Sequence, residues 1–144
     1  MKKLAALAAM LVFGAVLSAG TPPGWTDNFA KAQQQAKEEN RPVLVLFTGS
    51  DWCGWCIKLR KEVLSKAEFK KFAAERKLVL VYLDFPRKSK ISAEAKKRNS
   101  QLAVQYKVRG YPTTILFGAD GKELGRIPGF SKQYIEALTQ MLDK

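Results

Sequence analysis

The two cysteines of this chain, Cys53 and Cys56, stand two residues apart in Trp52-Cys53-Gly54-Trp55-Cys56, directly after the continuously apolar run Val43-Leu44-Val45-Leu46-Phe47. Such a run reads as a strand covered on both faces, and Ile57, Leu59, Val63 and Leu64 continue beyond the cysteines as a helix. The chain must therefore place two thiols at a strand-to-helix turn. A thiolate there faces unpaired backbone N–H groups and the positive end of the helix dipole, which lowers its pKa. Cys56 lies on the same helical face and is placed to attack a mixed disulfide formed at Cys53. The expected chemistry is thiol–disulfide exchange.

Other uses of the pair fit less well. A closed structural zinc site needs four ligands, and the chain has two cysteines and no histidine. No metal and no cofactor are expected. A purely structural bridge over so short a loop removes little entropy from the unfolded chain. Two buried, inert thiols remain as the alternative, opposed by the aromatic and glycine neighbours and by the position at a helix start.

The first residues read Met1-Lys2-Lys3, then an apolar stretch from Leu4 to Leu17, then Ser18-Ala19-Gly20. A basic start, a short apolar segment and a small-residue exit form a secretory signal peptide, here 1–20, with cleavage expected after Ala19 or Gly20. The segment falls short of the ~20 apolar residues of a spanning helix. Thr21 stands where a lipoprotein would carry its lipidated cysteine. Residues 21–144 then form one domain, expected to be periplasmic or secreted and to meet a membrane only through the leader before cleavage. Lys and Arg outnumber Asp and Glu by 25 to 13, and without Lys2 and Lys3 by 23 to 13. No nucleic-acid-reading motif accompanies the charge, so nucleic acid is not an expected partner.

The elements follow in order. Asp27 is expected to cap a helix through Phe29, Ala32 and Ala36 that ends before Arg41-Pro42. Val43 to Thr48 is a strand, then the cysteine helix, then Ser65-Lys66-Ala67-Glu68 as a capping box opening another helix at Ser65, with Leu64 and Phe69 as its staple. Leu78 to Leu83 is a second strand. The basic segment Arg87 to Asn99 has no strong apolar face and passes into a helical pattern at Leu102, Val104 and Tyr106. Thr113 to Phe117 and Leu124 to Ile127 form a hairpin about Ala119-Asp120-Gly121-Lys122. Ser131 is expected to cap the last helix, Phe130 to staple Ile135, and Tyr134, Ile135, Leu138, Met141 and Leu142 to form its apolar stripe. The fold class is α/β: a central mixed sheet flanked by helices on both faces.

This sequence resembles the thioredoxins over nearly all of residues 21–144. The resemblance rests on the strand leading into Trp52-Cys53-Gly54-Trp55-Cys56, on Arg109-Gly110-Tyr111-Pro112-Thr113, and on the hairpin followed by Gly129 and Ser131. Phe47-Thr48-Gly49-Ser50-Asp51-Trp52 resembles the secreted thioredoxin-like proteins of bacteria rather than the cytosolic ones. The resemblance implies the thioredoxin fold, with Cys53 as attacking thiolate and Cys56 as resolving thiol. It implies Trp52, Gly54, Trp55, Tyr111 and Pro112 as the substrate-binding surface. Pro112 would be cis, setting the Tyr111 backbone alongside the cysteines to pair with an extended substrate. Tyr111 is larger than the aliphatic residue usual there and narrows the groove.

Two departures bear on chemistry. The family carries a buried carboxylate in the strand beneath the cysteines, whereas Val43 to Phe47 are all apolar, with Leu46 at the aligned position. Water, Asp51 or Asp84 is left as proton acceptor for Cys56. Gly54-Trp55 also replaces the Gly-Pro of thioredoxin and the histidine-containing pairs of strong oxidants. That favours a reducing poise, the thiolate being supported by the helix terminus and by lysines such as Lys58. The expected function is a monomeric, periplasmic or secreted thiol–disulfide oxidoreductase acting on protein thiols and disulfides, with reduction or isomerisation preferred and an upstream electron donor. The alternatives are a peptide-binding or chaperone-like module on the same fold, which the basic segment would serve, and a dedicated electron carrier for cytochrome or metal-site assembly.

Overall fold

The computed structural model describes residues 20–144, so the expected leader lies almost wholly outside the described residues. Continuous apolar runs become the interior strands. β1 (Val43–Thr48) is buried along its whole length. It pairs in parallel with β2 (Val79–Asp84) and antiparallel with β3 (Thr113–Phe117), which pairs antiparallel with β4 (Glu123–Pro128). The sheet order is β2-β1-β3-β4. Five α-helices accompany it among the described residues: α1 (Phe29–Glu39), α2 (Gly54–Leu59), α3 (Ala67–Glu75), α4 (Ala93–Gln105) and α5 (Tyr134–Leu142).

Strand alternation sorts the core into two layers. Leu44 and Leu46 of β1 join Leu59 of α2, Phe69 of α3, and Tyr134 and Leu138 of α5 on one face. Val43, Val45 and Phe47 join Phe29, Ala32 and Ala36 of α1 on the other, where Leu102 of α4 and Tyr106 at its C-cap also pack. The mixed sheet with helices on both faces is as expected.

The helix starts differ from expectation, each for a local reason. α1 is capped by Asn28, whose Oδ1 accepts from Lys31 N–H at 3.0 Å, and not by Asp27. The residue before Asp27 explains the shift, because Thr26 is tied to the sheet: its N–H donates to Leu80 O, and Tyr82 N–H donates to its carbonyl. This single parallel bridge beside β2 was not expected, and one ladder pair carries no periodicity to read. α2 runs on into a π turn (Arg60–Leu64), closed by Ser65 N–H donating to Arg60 O at 2.9 Å. Ser65 therefore still belongs to the end of that helix, its hydroxyl donating to Lys61 O, and α3 starts at Ala67 without a side-chain cap. Ser131 Oγ accepts from Gln133 N–H, and α5 starts three residues after Ser131 with Gln133 at the N-cap, so the serine shapes a turn rather than capping the helix. The basic segment becomes α4 from Ala93, capped by Ser92. The hairpin turns through Gly121 at φ 82°, a left-handed conformation that suits glycine.

Candidate active site

Cys53 and Cys56 are joined as a disulfide with Cα atoms 5.2 Å apart. Cys53 is the N-cap of α2, and its sulfur accepts from Cys56 N–H at 3.2 Å. Cys56 Sγ is approached by Gly49 N–H at 3.4 Å. Both residues are buried, Cys53 at 7% exposure and Cys56 at 3%. Four residues separate the end of β1 from Cys53, and the turn closes through Cys53 N–H donating to Gly49 O at 3.0 Å. The disulfide is thus held by the strand end on one side and the helix start on the other.

Sheet register brings the second loop to the same place. Phe47 opposes Thr113, so the residues preceding β3 lie beside those following β1. The Tyr111–Pro112 peptide is cis, Pro112 is buried, and Cys53 Sγ lies 3.5 Å from Tyr111 O. The loop is pinned by Thr113 Oγ1 donating to Gly110 O at 2.7 Å and by Gly129 N–H donating to Pro112 O at 2.7 Å.

Aromatic rings flank the pair. Trp52 lies edge-on to Tyr111 at 6.0 Å, and its Nε1–H donates to Phe85 O at 2.7 Å. Its indole rests on Gly49, where a Cβ would meet the ring at 2.5 Å, so only glycine admits this packing. Phe85 in turn packs on Tyr111 at 4.9 Å. On the other side Trp55, 59% exposed, stacks on Phe130 at 6.0 Å. Phe130 thus faces the site as well as the core layer that Ile135 joins. Gly54 is exposed, and a Cβ there would meet nothing. The structure brings together Trp52, Cys53, Cys56, Tyr111 and Pro112, with Gly54 and Trp55 on the rim.

The nearby carboxylates are engaged elsewhere. Asp51 accepts from the backbone N–H groups of Arg87, Lys88 and Ser89 at 2.9, 2.8 and 2.7 Å. Those bonds, Arg87's foremost and then Ser89's, hold its carboxyl well below the usual carboxylate range. Asp84 accepts from Ser50 N–H at 3.0 Å and from Ser50 Oγ at 2.5 Å. Leu46 faces the α2 layer at 2% exposure, so β1 supplies no acid beneath the cysteines. Burial, and then Asp84, push the Tyr82 hydroxyl up, so it keeps its proton. Among the described residues no group of three or more His, Cys, Asp or Glu is arranged to hold a metal ion. The Asp51 clamp and the roles of Phe85, Phe130 and Arg87 were not read from the sequence, since each joins residues far apart in the chain.

A family profile described as Thioredoxin-like domain matches residues 29–144. The chain belongs to that family. It is 38% identical over 119 residues to the disulfide bond reductase DsbH of Chlamydia pneumoniae, covering 81% of this chain and 71% of that one. It is 34% identical over 109 residues to the thioredoxin-related protein DsbJ of the same organism, covering 76% of this chain but 31% of that protein. A solved structure of a DsbH oxidoreductase superposes with a TM-score of 0.73 at 35% identity, covering 90% of this chain and 89% of the other. A thioredoxin from Thermus thermophilus, at 23% identity and a TM-score of 0.60 over 83% of this chain and 84% of that one, shares the fold. This thioredoxin-like chain is a thiol–disulfide oxidoreductase whose redox centre is its Cys-Gly-Trp-Cys motif.

Proposed function

We propose that the protein reduces or isomerises protein disulfides in the periplasm or outside the cell. In the reduced enzyme the Cys53 thiolate attacks one sulfur of a substrate disulfide, and the other substrate sulfur leaves as a thiolate. Cys56, once deprotonated, attacks Cys53 Sγ of the mixed disulfide and releases the second substrate thiol. Two electrons pass to the substrate, and the Cys53–Cys56 disulfide returns to the dithiol by exchange with an upstream donor dithiol. Trp52, Gly54, Trp55, Tyr111 and Pro112 form the substrate-contacting surface. The compartment is argued from the basic, apolar and small-residue pattern of residues 1–20. The reducing direction draws support from the relative named a disulfide bond reductase.

One observation carries the mechanism: the contact between Cys53 Sγ and the Tyr111 carbonyl oxygen. An extended segment pairing with that backbone strip by strand addition has its own sulfur beside Cys53. Replacement of both cysteines by alanine should abolish reduction of a protein disulfide, and Cys56→Ala alone should accumulate a mixed disulfide at Cys53. A double variant that retained its cellular function would instead mark the protein as a binding module.

A further inference from the structure

Each aromatic platform beside the disulfide carries a cation. The Arg87 guanidinium lies 3.7 Å from the centroid of the Trp52 ring. On the opposite side Lys58 Nζ lies 5.3 Å from the Trp55 centroid and 5.1 Å from that of Phe130. A third cation, Arg109, lines a groove of about 450 Å³ that runs along Tyr111 and Pro112 to Gly129. Cation–π contacts fix a charge in place without neutralising it.

Arg87 is also fixed through its backbone. Asp51, the residue before Trp52, takes the N–H groups of Arg87, Lys88 and Ser89 and the Ser89 hydroxyl. The clamp consumes the one carboxylate adjoining Trp52 in sequence, and Asp84 is occupied by Ser50. No carboxylate among the described residues forms an ion pair with Lys58, Arg87 or Arg109, whereas Arg41, Arg76 and Arg126 each have a close acidic partner. Bonds from neutral N–H and O–H groups occupy these carboxylate oxygens without cancelling their charge, so the rim's distinguishing feature is three cations outside any ion pair, with open pairing capacity on either side of the sulfur.

We infer that this rim selects protein disulfides flanked by acidic side chains, with Arg87 and Lys58 meeting Asp or Glu on the two sides of the substrate cysteine and Arg109 meeting a third along the groove. The inference rests on the exchange reaction proposed above and adds the chemical class of its substrate. Complementary charge acts mainly on encounter rate and register, so the preference should be strongest at low ionic strength.

The test uses the reduced full-length protein and three disulfides: the neutral bis(2-hydroxyethyl) disulfide, and two synthetic peptides with one disulfide flanked by Glu in the first and by Lys in the second. The Glu peptide should be reduced with a kcat/KM about tenfold above the Lys peptide in low salt, the ratio falling toward unity as salt screens the rim. Arg87→Gln with Lys58→Gln should cut the ratio to roughly twofold, because the two fixed charges are gone. Lys31→Gln with Lys37→Gln, on α1, removes the same charge outside the rim and should leave the ratio nearly intact. A wild-type ratio near one, or an equal loss in both double variants, overturns the inference. Because each ratio is internal to one protein, a general loss of activity does not disturb it. Failure to reduce even the neutral disulfide would instead overturn the exchange reaction itself.

Discussion

Cys53 and Cys56 share one bond in the oxidised protein but stand in different surroundings. Cys53 caps α2, and its sulfur already accepts the Cys56 N–H, a bond that favours a thiolate there after reduction. Cys56 lies one turn into the helix, more deeply buried, and Leu59 of the same helix shares an apolar floor with Leu44 and Leu46 of β1. In the reduced protein, alkylation near neutral pH should label Cys53 selectively, by about tenfold or more over Cys56. Faster labelling of Cys56 would reverse the assignment of nucleophile. The apolar floor also predicts that proton removal from Cys56 limits release of the mixed disulfide. Leu46→Asp should speed that release at neutral pH while lowering stability by several kcal/mol, the cost of an unpaired buried carboxylate. Stopped-flow reduction of a small disulfide, together with urea unfolding, checks both halves. An unchanged release rate in a folded variant would mean that another group already takes the proton.

At the scale of elements, what was legible in the sequence depended on how local the signal was. β1, β3 and the hairpin announce themselves as apolar runs and turn residues, and the cysteine turn between β1 and α2 follows from them. Caps depart from the local preference where a tertiary tie competes with it: Thr26 bound to β2 shifts the cap of α1 to Asn28, and the π turn keeps Ser65 in the preceding helix. The loop after β2 was illegible because its organiser lies 36 residues away, in Asp51. That loop carries its own test. Since the folded carboxyl of Asp51 is depressed, its contribution is present above the unfolded value near 3.9 and is lost only as pH falls through the lower folded value. The Arg87 and Ser89 amide resonances should therefore titrate together well below pH ~3.9, and not at that ordinary Asp value. Asp51→Asn should remove the transition and speed exchange of those amides by about tenfold. A transition at the ordinary carboxylate position would dissolve the clamp.

For the whole molecule, the sheet works as a brace among three loops that are distant in sequence. The parallel β1–β2 pair and the antiparallel β1–β3 pair bring Cys53, the Tyr111–Pro112 peptide and the Arg87 loop to one end of the sheet. Two apolar layers, one on each face, hold that end in register. The redox pair and its proline loop could be read from motifs because their chemistry uses few residue types at fixed spacing. The cationic rim could not, because its cations come from three separate segments and only the fold assembles them. We propose that this site is poised to donate electrons. No histidine stands between the cysteines or anywhere in the chain, so the Cys53 thiolate has only the helix start and nearby Lys and Arg charges to stabilise it. The equilibrium potential of the Cys53–Cys56 couple against glutathione tests this most directly. It should fall nearer the thioredoxin value of about −270 mV, and a potential near that of a strong oxidant such as DsbA, about −120 mV, would mean that the site accepts electrons instead.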